Sequence, residues 1–255
     1  MTLRELDEYF RSFLNLEQYS GDPSLNGIQV ENRDPAGKEI TKVAFAVDAC
    51  QETIQRAATA GAGLLFVHHG FFWGQCQTIT GAHGKRIRTL FDHDMALYAC
   101  HIPLDAHALV GNNYGLAQRL ELQSLESFGN WHGMTIGVGG TLEKPLPVAE
   151  VVKKLFPAGE QPLHVLPFGP DVIKRVAIVS GGAARELSQA IEQGYDAFIT
   201  GEIGHEQYHQ ALESGITVIA GGHYQTETVG VSLVMEKLAK EKGIETVFIQ
   251  VPTGL

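Results

Sequence analysis

Leu3, Leu6, Phe10, Phe13 and Leu14 recur at helical spacing, so the chain opens with an amphipathic helix that ends before the turn-rich stretch SGDPSLNG. From Lys42 the period changes. KVAFAVDA predicts a buried strand, ETIQRAATAGA a helix closed by Gly61, and GLLFVHHG a second strand closed by Gly70. KRIRTLFDHD then reads as a helix and MALYACH as a third strand. Strand, helix and strand in this rhythm predict a parallel sheet covered by helices.

The series returns later in the chain. KRVAIVSGGAA, DAFITGE and ITVIAGGH read as strands separated by the helices RELSQAIEQGY and HEQYHQALESG. Aligning Val43 with Val176 sets Gly61 against Gly194, LLFVHHG against AFITGE and ALYACHIPLD against TVIAGGHYQTE. His101, followed by Asp105, then corresponds to His223, followed by Glu227, and Glu202 corresponds to His69. This is a loose internal pseudo-repeat. WHGMTIGVGGTLE (strand), PVAEVVKKLF (helix) and LHVLPF (strand) decorate the second half, and the chain ends in a long helix around TVGVSLVMEKLAKEKG and a strand TVFIQVP. No Pro-, Ser- or charge-rich linker interrupts it. The expected fold is α/β: two interlocked, pseudo-repeated α/β halves with mostly parallel sheets, forming a single module over residues 1–255 with halves of about 1–125 and 126–255.

Composition narrows the function. At 255 residues the chain needs no metal merely to fold. No apolar run reaches the roughly 18 residues of a spanning helix, and MTLRELDEYF lacks the layout of a signal peptide, so a cytoplasmic protein without membrane contact is expected. A net charge of −10 argues against nucleic-acid binding by phosphate neutralisation. Cys50, Cys76 and Cys100 form no CxxC pair, which disfavours a disulfide framework or a thiolate zinc site and leaves buried or inert thiols.

The chemistry gathers at strand ends, where ligand sites form in open α/β sheets. His68 and His69 close one strand, and Gly70 permits the turn that brings both imidazoles to one site. HIPLDAH supplies His101, Asp105 and His107 past the next strand, in a loop that Pro103 stiffens, and GGHYQTE supplies His223 and Glu227 in the equivalent place of the second half. Taken one at a time, capping and solvated roles explain the histidine pair and GGHYQTE equally well and HIPLDAH better. Three related strand ends with imidazole and carboxylate groups are harder to explain that way. They match the donors of a hard or borderline divalent cation, and five or six such ligands suit two ions roughly 3.5 to 4 Å apart. Zn, Mn, Fe and Co all fit this set. His83, His93, His132 and His164 lack partners nearby in sequence, and His205 with His209 reads as helix surface.

The combination NGIQVE, VHHGFFW, HIPLDAHALVGNN, DAFITGE and AGGHYQTE resembles the NIF-three-like family, the GTP cyclohydrolase I type 2 homologues, and in particular its shorter, YbgI-like members. The resemblance runs through nearly the whole chain. It implies a toroidal homohexamer, a trimer of dimers, with a dinuclear metal centre in each subunit. By motif, the metal ligands are then His68, His69, Asp105, His223 and Glu227, with His101 lining the centre. The leading expectation is a metal-dependent hydrolase of GTP cyclohydrolase or phosphoesterase type acting on a small molecule, with a nucleotide as one candidate and His101 or Glu202 as the proton shuttle. The alternative is a non-catalytic metal-binding regulatory or scaffold ring. No P-loop supports a nucleotide substrate.

Overall fold

Thr2 starts the first helix, Leu3–Leu14, with a capping box: its hydroxyl accepts from Glu5 N at 3.3 Å while the Glu5 carboxylate accepts from Thr2 N at 2.8 Å. The predicted apolar stripe is the buried one, with Leu3, Leu6, Phe10 and Leu14 all sequestered. In this computed structural model, which describes residues 1–255, the helix belongs to a unit made of Met1–Leu104 and Val231–Val251. Its five-stranded sheet runs in the order Gly27–Val30, Ala96–Ala99, Leu64–His69, Lys42–Asp48, Glu245–Phe248. Only the Gly27–Val30 edge is antiparallel.

Period-two alternation divides the core of this unit. Phe45, Phe66 and Tyr98 lie side by side across three strands, Phe66 stacked on Tyr98 with centroids 5.5 Å apart, and Phe10 packs on both at 5.0 and 4.9 Å. The intervening positions, Ala44, Ala46, Leu65, Val67, Leu97 and Ala99, cluster instead with Ile54 and Ala57 of helix Gln51–Thr59 and with Ile87 and Leu90 of helix Gly81–Asp92. A sheet buried on both faces explains why its strands read as unbroken apolar runs.

The second unit, Asp105–Gly230 with Pro252–Leu255, holds a six-stranded sheet in the order Gln123–Trp131, Met134–Pro147, Val172–Ile178, Ala197–Thr200, Thr217–Ala220, His164–Pro167. It is mixed: the three strands from Val172 to Ala220 are parallel and the flanking pairings antiparallel. Those three strands repeat the registry of the first unit. Val43 faces Leu64 and Val176 faces Ala197; Leu64 faces Ala96 and Ala197 faces Thr217. These are the positions matched in the sequence repeat.

Four local expectations change. WHGMTIGVGGTLE is not one strand, because His132 and Gly133 form a two-residue turn between Gln123–Trp131 and Met134–Pro147. Both turn residues have positive φ, 51° and 82°, as a type I′ hairpin requires. The preceding strand escaped notice because five of its first residues are exposed and polar-rich. The short edge strand Gly27–Val30 was hidden in turn-forming sequence. IPLD is a single helical turn, not a loop, and the last helix spans His223–Lys242, beginning before Thr228. No helix is long and apolar enough to cross a membrane. No disulfide joins the three cysteines; Cys100 is buried and Cys76 exposed.

Candidate metal centre

Three imidazoles meet in the first unit. The ligand atoms of His68, His69 and His101 lie within 4.8 Å of one another, and the ring centroids are 4.6 to 5.6 Å apart. Each ring is anchored through Nδ1. His68 Nδ1 is 2.9 Å from Cys100 O, His69 Nδ1 is 2.8 Å from Asp48 Oδ1, and His101 Nδ1 is 2.9 Å from Asp22 Oδ1. A carbonyl or an ionised carboxylate only accepts, so Nδ1 carries the proton and the lone pair sits on Nε2. That tautomer is the one a metal-binding histidine takes when a second group orients it.

The turn that places the pair rests on Gln29. Its Oε1 accepts from Phe71 N at 2.6 Å and Phe72 N at 3.3 Å, and a Cβ on Gly70 would fall 2.3 Å from the same oxygen. Glycine after the two histidines is therefore a steric necessity. Asp22, buried, also accepts from Ile102 N at 3.0 Å, Asn26 Nδ2 at 2.9 Å and Ser24 N at 3.0 Å. Burial raises its pKa, but the bonds from His101, Asn26 and Ser24 outweigh that and hold it below the usual carboxylate range.

The second unit gathers the acids. Asp105 and Glu227 are 7% and 3% exposed, and their ligand oxygens lie within 4.8 Å of each other. Two buried carboxylates at that separation repel, and positive charge beside them, from the His223 imidazolium or a bound cation, offsets the repulsion. Asp105 Oδ1 accepts from Asn112 Nδ2 at 2.8 Å and Ser180 Oγ at 3.0 Å. Asn112 Oδ1 in turn accepts from Gly230 N at 2.6 Å, while Asn113 receives Ser180 N at 2.6 Å and donates to Ile136 O at 2.7 Å. The two asparagines of HALVGNN are thus fully committed struts.

His223 Nε2 sits 3.1 Å from Glu227 Oε1, and His223 Nδ1 hydrogen-bonds Glu202. Burial alone would lower the His223 pKa; Glu227 first and Glu202 next outweigh it and push the imidazole up to about 9. Gly181, at φ +65°, lets the Ser180 turn approach this group: a Cβ there would lie 2.1 Å from Glu227 Oε1 and 3.2 Å from His223 Nε2.

Each expected residue thus has a place. His68, His69 and His101 come together in one unit; Asp105, His223 and Glu227, with Glu202 beside His223, come together in the other. The donor sets, neutral nitrogen and anionic oxygen, fit a hard or borderline divalent cation. His107 is not among them, since its Nδ1 accepts from Leu109 N and Val110 N, both at 3.1 Å. His93 binds Thr89 O, His83 packs edge-on against Phe71 and Phe72, and His205 and His209 are exposed on helix His205–Ser214. The sequence reading missed Asp22, Asp48, Gln29, Asn112, Asn113 and Ser180. Gln29 lies within NGIQVE and the asparagines within HALVGNN, whereas Asp22, Asp48 and Ser180 lie in stretches that read only as turns and strands.

The family model described as Duf34/NIF3 (NGG1p interacting factor 3) matches residues 1–254. A Treponema pallidum protein is 48% identical over 289 aligned residues and an Archaeoglobus fulgidus protein 43% identical over 255, with 100% of both chains covered in each case. Both carry the description "GTP cyclohydrolase 1 type 2 homolog". Among solved structures, protein ybgI, of unknown function, superposes with a TM-score of 0.90 at 33% identity, and a Thermus thermophilus protein with 0.90 at 38%. Each alignment covers 100% of both chains.

Proposed function

We propose that this chain, which belongs to the Duf34/NIF3 family, is a metal-dependent hydrolase holding two divalent cations with His68, His69, Asp105, His223 and Glu227. The observation that carries the reading is the uniform anchoring of three adjacent imidazoles at Nδ1 by Cys100 O, Asp48 and Asp22. Such tautomer control has little use in a merely structural cluster and is what a cation requires of its ligands. The buried carboxylates of Asp105 and Glu227 supply the charge that neutral nitrogens cannot.

Divalent cations in such a setting supply Lewis acidity, which polarises a substrate oxygen and makes water more acidic. The protein's own groups do the rest. Asn112 and Ser180 hold Asp105 in one rotamer, so its second oxygen has a fixed direction. Glu202, half-exposed and hydrogen-bonded to His223 Nδ1, is placed to take a proton from solvent or substrate, and His101 is the other candidate shuttle. The description of the relatives suggests a cyclic, nitrogen-containing substrate of nucleotide type, and a phosphoester would use the same groups. The proposed assembly is a toroidal homohexamer, a trimer of dimers, which light scattering of the purified protein tests directly.

The function is tested by loading the protein with Zn, Mn, Fe or Co and assaying nucleotides, phosphoesters and cyclic amides. Turnover that disappears in both Asp105→Ala and Glu227→Ala supports the hydrolase. Intact metal binding with no turnover on any substrate favours a scaffold, and less than one ion per chain after loading rejects the dinuclear centre.

A further inference from the structure

The Trp131 hairpin and the turn after Ser180 border a cavity of about 550 Å³ that lies wholly within the second unit, a size that suits a small-molecule ligand. Trp131, His132, Arg185, Glu186, Glu202 and Gln207 line it. Its aromatic wall is fixed in place: Asn130 N donates to Gln189 Oε1 at 2.8 Å, Gln189 Nε2 donates back to Asn130 O at 3.0 Å, and Trp131 packs edge-on against His132 at 4.4 Å. Glu186 is only 8% exposed, yet its carboxylate bonds nothing beyond its own backbone N–H. Burial raises its pKa, with Arg185 and His132 pulling the other way. Arg185 is exposed, and its guanidinium forms no ion pair; Ser188 Oγ donates to the Arg185 carbonyl at 3.2 Å. A low-exposure acid with no partner side chain and an exposed guanidinium with no ion pair therefore flank a rigid indole, and both charged groups are open to a ligand in the cavity.

We infer that this cavity binds a planar nitrogen heterocycle that presents two adjacent N–H donors to Glu186, stacks on Trp131 and sets an anionic substituent against Arg185. A carboxylate accepts two parallel N–H bonds from such an edge, whereas a ring offering one donor beside an acceptor leaves an oxygen facing a lone pair. The planar guanidinium matches a carboxylate or phosphate in the same way. Glu202 and Glu206 line the cavity too, and their charges confine an anionic substituent to the Arg185 side. Occupancy needs no cation, since all the recognising residues belong to the cavity. Only its link to turnover, through Glu202 and His223, rests on the hydrolase reading.

Calorimetric titration of the full chain with guanosine 5′-monophosphate, adenosine 5′-monophosphate and ribose 5-phosphate tests the inference, first with EDTA present and then after metal loading. The guanosine compound, with adjacent ring and amino N–H groups, binds about tenfold or more tightly than the adenosine compound, and ribose phosphate binds weakest. Trp131→Ala weakens both nucleotides about tenfold, and Glu186→Gln removes the preference between them. Absence of guanosine monophosphate binding by the parent chain in EDTA overturns the inference, as does parent-like binding by both variants. Where Glu186→Gln fails to fold, Trp131→Ala and Arg185→Gln decide. Because these titrations contain no metal, a failed cavity and a failed metal centre give separate results.

Discussion

Asp22 Oδ1 lies 2.9 Å from His101 Nδ1, and the second carboxylate oxygen of Asp22 accepts from the backbone N–H of Ile102, the next residue, at 3.0 Å. One buried acid therefore sets both the ring tautomer and the backbone course of the segment that carries His101. Asp22→Asn keeps the size but loses the charge and one acceptor. Metal affinity is expected to fall about 10- to 100-fold, the usual effect of losing an orienting carboxylate. Stability should fall by about 1–3 kcal/mol. Competition against a chelating dye measures the first and urea unfolding the second. Because the folded Asp22 pKa is depressed, its contribution is present above the unfolded carboxylate range and is lost as pH falls through the folded value. Parent and variant should accordingly converge in stability in acid.

Gly181 is the point where a single methyl group does most harm. Its φ of +65° disfavours any side chain, and the added Cβ would overlap the Glu227 carboxylate. Gly181→Ala is expected to cost about 1–3 kcal/mol from backbone strain, with Glu227 forced from its position as well. Metal content after loading should drop together with the unfolding midpoint. A variant that is less stable but loads metal normally would show that Glu227 accommodates the methyl group.

The features that could be read from the sequence were those in which chemistry and period coincide at one place. His68 and His69 stand at the end of an apolar strand before a glycine, and the repeat linked His101 and Asp105 to His223 and Glu227. The groups that hold them were not legible in the same way. Asp22 is 79 residues from His101, inside a stretch that looks like turn punctuation. Asp48 meets His69 only because two parallel strands align them. The Trp131 hairpin was missed for a different reason. Its first strand is mostly exposed, so no buried face imposes alternation on the sequence.

With the proposed metal centre, chelation should uncover the stability that a bound cation supplies. With free metal at about 100 times its dissociation constant, binding to the folded state alone adds about 2.7 kcal/mol, or a midpoint shift of roughly 5–10 °C for a chain of this size. Scanning calorimetry of loaded and EDTA-treated protein measures it. Glu227→Ala should remove most of the shift, because it deletes a buried carboxylate of the donor set. An equal shift in that variant would place the stabilising ion elsewhere.

The metal-free protein should also lose stability on the alkaline side, and His223 is the reason. Its imidazole is raised from 6.5 to about 9 by Glu227 and Glu202, against the opposing effect of burial. A raised folded pKa means that the contribution is fully present below about pH 6.5 and is lost as pH climbs through about 9. The shift corresponds to a contribution on the order of 3 kcal/mol. Urea unfolding in EDTA between pH 6 and 10 should therefore show a decline that His223→Gln flattens. Metal should reverse the trend, because a cation and a proton compete for the same side chains and loading releases the proton. In loaded protein the decline between pH 6.5 and 9 should vanish, and apparent affinity should rise across that interval. A decline that survives both metal and His223→Gln would assign the alkaline loss to some other group.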